Sequence, residues 1–266
     1  MTAPAPPILP LRIDGEGAAL VCVPPISGSP YAYPPLARHV QGRPMVALEA
    51  PGFDDDSDPV DSLPALSTAF IRAVRTGWPA DRYVLLGWSM GGAVAFDMAH
   101  RLRAAEVRIP MLILVDAIAP GRVRHPTGRA RVRQFVSDLL EGVGMPLSGI
   151  DAALAAVPDG VDATGTLTTL MEYGIFPEGF DEATLLGRYR VFDAHVTALS
   201  RHRATSGYDG PVSVLRARDS DPELMSWEGL ATDVREEVIP GDHYSIWKGD
   251  GLVALSRTVQ RALANT

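Results

Sequence analysis

The sequence predicts an α/β fold in which a mostly parallel sheet carries helices on both faces. Three observations carry this reading. Compact apolar runs at Ala19–Val23, Pro44–Leu48, Val84–Leu86, Met111–Val115 and Val212–Leu215 have strand length and composition. The stretches between most of them hold helical patterns, as in Leu63 to Val74, where Leu63, Leu66, Phe70, Ile71 and Val74 share one face. Candidate reactive side chains then fall just beyond the carboxyl ends of strands, where open α/β sheets place their sites.

Taken in order, residues 1–10 form a Pro-rich stretch, and Pro4 to Pro10 cannot supply a regular ladder of N–H donors. This predicts an exposed arm or linker, with a single domain over residues 11–266. The strand Ala19–Val23 runs into a stiff loop, Pro24-Pro25-Ile26-Ser27-Gly28, followed by a short helix at Leu36–Val40 and a strand ending at Leu48. The acidic patch Asp54-Asp55-Asp56-Ser57-Asp58 lacks the spacing of a calcium loop and reads as a solvated loop. After the Leu63–Val74 helix, Tyr83 to Leu86 leads through Gly87-Trp88-Ser89-Met90-Gly91-Gly92 into a helical run, Ala93 to Leu102. Beyond Met111–Val115 lies a segment too long for one crossover, with helices expected at Gln134–Leu140, Thr166–Tyr173 and Glu182–Leu199. The strands Val212–Leu215 and Val234–Ile239 close the sheet.

Composition narrows the class. With 46% hydrophobic and 21% charged residues the 266-residue chain can bury a large core, and no apolar run approaches the ~20 residues needed to cross a bilayer. The start has neither a basic region nor an apolar core, so a cytoplasmic location is expected. The single Cys22 excludes an internal disulfide and reads as a buried thiol. A net charge of -8 argues against nucleic acid as a general partner.

Gly87-x-Ser89-x-Gly91 between a strand and a helix has the pattern of a nucleophile elbow, where glycines let the chain turn sharply and expose the serine hydroxyl. A serine hydroxyl needs a base to take its proton and a third group to orient that base. Of six histidines only His243 lies in a Gly-flanked loop after a late strand, Pro240-Gly241-Asp242-His243-Tyr244. Two aspartates compete as the orienting acid: Asp116, after an apolar strand where an unpaired carboxylate is costly, and Asp219, in Arg218-Asp219-Ser220-Asp221-Pro222, which also reads as a turn or cap.

Five motifs in order resemble the thioesterase domains of nonribosomal peptide and polyketide synthases, within the α/β-hydrolase superfamily. They are Gly87-Trp88-Ser89-Met90-Gly91-Gly92 with its helix, Leu112-Ile113-Leu114-Val115-Asp116 with Pro120, Tyr189-Arg190-Val191-Phe192, Pro211-Val212-Ser213-Val214, and Gly241-Asp242-His243-Tyr244. The resemblance spans Ala19 to the C-terminal helix and implies a triad of Ser89, His243 and Asp116, with Asp116 favoured over Asp219. It also implies that the backbone N–H groups of Ile26 and Met90 form the oxyanion hole. Pro24 and Pro25 have no N–H to offer there. The segment at about residues 122–205 is then a helical lid. Its Phe135, Leu139, Leu140, Met145, Leu170, Met171, Ile175, Phe176 and Phe180 either line an acyl channel or pack the lid onto the core.

The implied reaction is release of an acyl chain from a carrier protein's phosphopantetheine arm through an acyl-Ser89 ester, by hydrolysis or macrocyclisation, with no cofactor of the chain's own. The partner would be an acyl or peptidyl carrier protein or an upstream megasynthase module. Arg122, Arg124, Arg129, Arg131 and Arg133 read as a solvated helix face or as a surface for that acidic partner. An esterase or lipase acting on oxygen esters shares the triad and is an alternative. A carrier-binding protein without catalysis is the alternative from another class.

Overall fold

In the computed structural model, which describes residues 6–266 apart from 123, 178 and 265, seven strands form one sheet. In chain order they are β1 (Ile8–Arg12), β2 (Ala19–Val23), β3 (Met45–Leu48), β4 (Tyr83–Trp88), β5 (Leu112–Val115), β6 (Tyr208–Ala217) and β7 (Ala231–Ile239). Their order across the sheet is β1-β3-β2-β4-β5-β6-β7, with every pairing parallel except β1 against β3.

The period of two along each strand divides its side chains between two cores. Val21, Leu85 and Leu114 face one cluster, with Leu66, Phe70 and Phe96 from helices α2 (Leu63–Gly77) and α3 (Met90–Ala104). Cys22, Leu86 and Val115 face the other, with Leu36 from α1 (Tyr33–Ala37) and Leu255 and Val259 from α8 (Gly249–Leu263). Strands buried on both faces explain why they read as unbroken apolar runs. The final strand β7 is different. It lies at an edge, and exposed Asp233, Arg235, Glu236 and Glu237 guard it against pairing with another chain.

Two expectations shift. The Pro-rich start does not stay apart from the sheet as far as Pro10: Ile8 pairs with Leu48 and Pro10 with Val46. Proline is admissible there because β1 is an edge strand with one free side. The first five residues of the expected arm lie outside the described residues. The short helix begins earlier than Leu36, at Tyr33, because Pro34 and Pro35 occupy its first turn, where a missing N–H costs nothing.

Between β5 and β6 the chain leaves the sheet for four helices, α4 (Gly128–Val143), α5 (Ile150–Ala156), α6 (Ala163–Glu172) and α7 (Glu182–Arg201). The seven residues of α5 give too short a pattern between Pro146 and Pro158 to stand out in the sequence. Arginines expected on a solvated face tie these helices together. Arg133 forms a two-pronged pair with Asp151, Arg131 bonds Asp193, and Arg129 donates to the carbonyls of Leu154, Val157 and Pro158 at the end of α5. Only Arg122 and Arg124 of that stretch remain exposed without a side-chain partner among the described residues. The acidic patch serves a similar purpose: Asp54 pairs with Arg188 and Asp58 with Arg190, both on α7, while Asp55 accepts from the Gly52 and Ser57 N–H groups. Among the described residues no group of three or more His, Cys, Asp or Glu is arranged to hold a metal. No helix among them is long and apolar enough to cross a membrane.

Candidate active site

Ser89 sits at φ 55°, ψ -128°, a conformation that strains a residue with a side chain, between the end of β4 and the start of α3. Its N–H donates to the Val115 carbonyl at 3.0 Å, so the neighbouring strand β5 holds the turn. The surrounding glycines are forced by space. A Cβ at Gly87 would lie 2.1 Å from the Gly91 oxygen, one at Gly91 2.3 Å from the Val23 oxygen, and one at Gly92 2.3 Å from the Ala117 Cβ. Cβ atoms do not approach so closely, so the helix starts close to the sheet only because these side chains are absent.

Asp116 repeats the device one strand over. It is fully buried at φ 42°, and its N–H donates to the Leu215 carbonyl of β6 at 2.8 Å. One carboxylate oxygen accepts the Ala217 N–H at 2.8 Å. The other accepts the Ser220 hydroxyl at 2.9 Å and lies 2.6 Å from His243 Nδ1. Burial pushes the pKa up, but the hydrogen bond and charge of His243, the Ala217 N–H and the Ser220 hydroxyl outweigh it, so the carboxyl titrates below its ordinary value. An ionised Asp116 fixes the proton of His243 on Nδ1 and leaves Nε2 free to act as a base.

Of the two aspartates, Asp116 is the one in contact with the His243 ring. Asp219 is exposed, and among the described residues it takes part through its backbone, its N–H donating to the Gly241 carbonyl. The end of β6 and the connection after it nevertheless contribute through the Ala217 N–H and the Ser220 hydroxyl, which nothing in their local sequence marks as partners of a distant carboxylate. The His243 ring lies against Trp88, with centroids 5.1 Å apart, and meets Tyr244 edge-on at 89°. Tyr244 donates from its hydroxyl to Asp138 on α4 at 2.8 Å.

Ser89, His243 and Asp116 line one cavity of about 330 Å³, together with Ile26 and Met90. The Ile26 loop is held from above: His195 on α7, 1% exposed, lies with Nδ1 2.8 Å from the Ile26 carbonyl. Burial drives the His195 pKa down to about 4, so at neutral pH the ring is uncharged and donates this bond. The Pro25 carbonyl accepts the Gly28 N–H across the same turn, and Gly28, at φ 78°, has no room for a Cβ against Ala50 and Val191. Met90 opens α3, where first-turn N–H groups have no acceptor within the helix.

A second cavity of about 510 Å³ adjoins the first, sharing Asp138 and Tyr244 as lining. Of the apolar residues considered for an acyl channel, Phe135, Leu139 and Phe180 line it. Leu140 and Leu170 are buried in the core, and Met145, Met171, Ile175 and Phe176 pack against that core.

A seven-stranded, mostly parallel sheet with helices on both faces, a strained serine after the fourth strand and a histidine after the last is the α/β-hydrolase architecture. More narrowly, the chain belongs to the thioesterase domain family, whose profile matches residues 18–263. Similar curated proteins are synthases. A non-reducing polyketide synthase, crz7, of Cladonia metacorallifera is 27% identical over 92% of this chain, and the probable nonribosomal peptide synthetase CymA of Salinispora arenicola is 26% identical over 96%. The chain spans only 12% and 3% of their lengths. Among solved structures, a four-domain nonribosomal peptide synthetase superposes with a TM-score of 0.81 at 24% identity, over 97% of this chain and 20% of that one. The Vlm2 thioesterase domain gives 0.71 at 23%, over 97% and 98% of the two chains, and the NocB thioesterase domain, in covalent complex with a fluorophosphonate nocardicin G analogue, 0.69 at 24%, over 94% and 96%. At these identities the superpositions establish the fold.

Proposed function

We propose that the chain releases an acyl chain from the phosphopantetheine thiol of a carrier protein or megasynthase module through an acyl-Ser89 ester. His243 Nε2 takes the Ser89 proton as Oγ attacks the thioester carbonyl carbon. The negative charge gathers on the carbonyl oxygen, facing the N–H groups of Ile26 and Met90; loss of one such donor costs about 3 kcal/mol of transition-state stabilisation. The C–S bond then breaks, and the imidazolium returns its proton to the departing thiolate. Asp116 holds the ring and stabilises its charged form throughout. Water, or a hydroxyl or amine within the acyl chain, next attacks the ester with His243 again as base, giving an acid or a ring. Phosphopantetheine belongs to the carrier, and the chain's own residues supply all the acid and base chemistry.

The observation that supports this most is the 2.6 Å contact between His243 and buried Asp116, on the wall of the cavity that also holds Ser89, in a chain of the thioesterase family. The test is turnover of an acyl N-acetylcysteamine thioester beside the matching oxygen ester. Intact mass after a fluorophosphonate probe reads covalent labelling in the same preparation. Ser89→Ala is expected to abolish labelling and lower kcat by about 10⁴- to 10⁶-fold. Full turnover by Ser89→Ala would overturn the assignment, faster cleavage of the oxygen ester would make the protein an esterase, and no labelling of the unaltered chain would leave a carrier-binding role. Product mass separates hydrolysis from macrocyclisation, which differ by one water.

A further inference from the structure

The roof of the Ser89 cavity is polar in a way that the reaction itself does not use. Helix α4 turns Gln134, Ser137, Asp138 and Glu141 toward it, at spacings of three, four and seven residues, which is one helical face. The next face of the same helix, with Phe135, Leu139 and Val143, lines the larger adjoining cavity. A helix covering a site for plain hydrocarbon would have no reason to divide its faces this way. The Gln134 side-chain oxygen and the Ser137 hydroxyl are both buried, and neither has a hydrogen-bond partner among the described residues. Burying a polar atom without a partner is costly, so an arrangement that keeps two of them beside a cavity is suited to a ligand that pairs them. Asp138 accepts one bond from Tyr244 and, like Glu141, has lone pairs to spare; all four side chains accept hydrogen bonds.

We propose that this face of α4 selects acyl chains carrying O–H or N–H donors near the thioester carbonyl, with Gln134 and Ser137 as the residues that recognise them. The inference rests on the acyl-transfer reading above and narrows its substrate class. A β-hydroxyl from a polyketide chain and an amide N–H from a peptidyl chain offer the same donor, and a polar site of this kind discriminates against the analogue that lacks it because its own groups then stay unpaired.

The test compares kcat/KM for three N-acetylcysteamine thioesters of equal backbone length: octanoyl, 3-hydroxyoctanoyl and 2-acetamido-octanoyl. The unaltered chain should prefer at least one donor-bearing chain over octanoyl by 10-fold or more, and the better of the two tells hydroxyl from amide. In Gln134→Leu/Ser137→Ala that ratio should fall toward one. Because the readout is a ratio within one preparation, partial loss of folded protein cancels, and thermal melting reports the fold separately. Equal rates on all three thioesters, or a preference untouched by the double variant, would overturn the inference. Failure of fluorophosphonate labelling in the unaltered chain would overturn the acyl-transfer reading instead, which keeps the two apart.

Discussion

The sheet and the helical insertion build opposite sides of the Ser89 cavity by different physical means. On the sheet side the parallel ladder continues past the strand ends: Ser89 N–H reaches Val115, Asp116 N–H reaches Leu215, Arg218 N–H reaches Ile239 and Asp219 N–H reaches Gly241. The turns at Ser89 and Asp116 are therefore fixed by the backbone of the next strand, before any side chain acts. Two of these residues, Ser89 and Asp116, are held at positive φ as a result. On the insertion side the helices are held by side chains, with Leu140, Leu170 and Phe192 buried in the core and exposed arginine pairs such as Arg133–Asp151 and Arg190–Asp58 at the surface. Exposed pairs contribute up to about 1 kcal/mol each. The difference teaches two ways to wall one cavity, a frame held by backbone ladders on one side and a cover held by side-chain packing and ion pairs on the other.

The sharpest way to break this contrast lies on the sheet side. Asp116→Asn should lower kcat by about 10⁴-fold, since an amide there disturbs the tautomer of His243. Asp219→Asn, exposed and turned away, should stay within about threefold of the unaltered rate by the same logic. Parallel kinetics of the two variants on one thioester decide it; an equal loss in both would show that the frame does not set the roles.

His195 joins the two sides, and its effect is intermediate. Its folded pKa of about 4 lies below the ordinary ~6.5 of an unfolded histidine, so between those values the unfolded chain binds the extra proton. This contribution to stability is complete above pH 6.5 and declines as pH falls toward 4, by about 3 kcal/mol in all. Urea unfolding of the unaltered chain and of His195→Gln across pH 4–7 should show a shallower pH slope in the variant. Parallel slopes would mean that His195 is not buried and neutral as described.

The smallest effect belongs to the cover. Arg133→Ala removes an exposed two-pronged pair and should cost less than about 1 kcal/mol, read as a drop of a few degrees in Tm. A larger loss would make the insertion as rigid as the frame.

Much of the frame was legible in the sequence, for stated reasons. The Gly87–Gly92 run sits between a strand pattern and a helix pattern, which is the local context that a strained serine requires. The apolar run before Asp116 announces a buried strand, and a carboxylate at the end of such a run needs partners. What stayed hidden came from side chains that meet across long stretches of chain. Ser220 supports Asp116 across 104 residues of sequence, and His195 reaches Ile26 across 169. The arginines of α4 looked like a free basic surface because the sequence around them lacks acids, whereas Asp151 and Asp193 come from α5 and α7.

Alone, the sequence determined the α/β class, the strand-end positions of Ser89, Asp116 and His243, and the presence of a helical insertion. These depend on the period of two or 3.6 and on glycine at tight turns, all of which are local properties of the chain. Only the tertiary structure decided that Asp116 rather than Asp219 meets His243, that Pro10 joins the sheet edge, and that α4 turns Gln134, Ser137 and Glu141 to one cavity and Phe135, Leu139 and Val143 to the next, with Asp138 on both. Those outcomes depend on which distant segments share a neighbourhood, and spacing along the chain does not encode that.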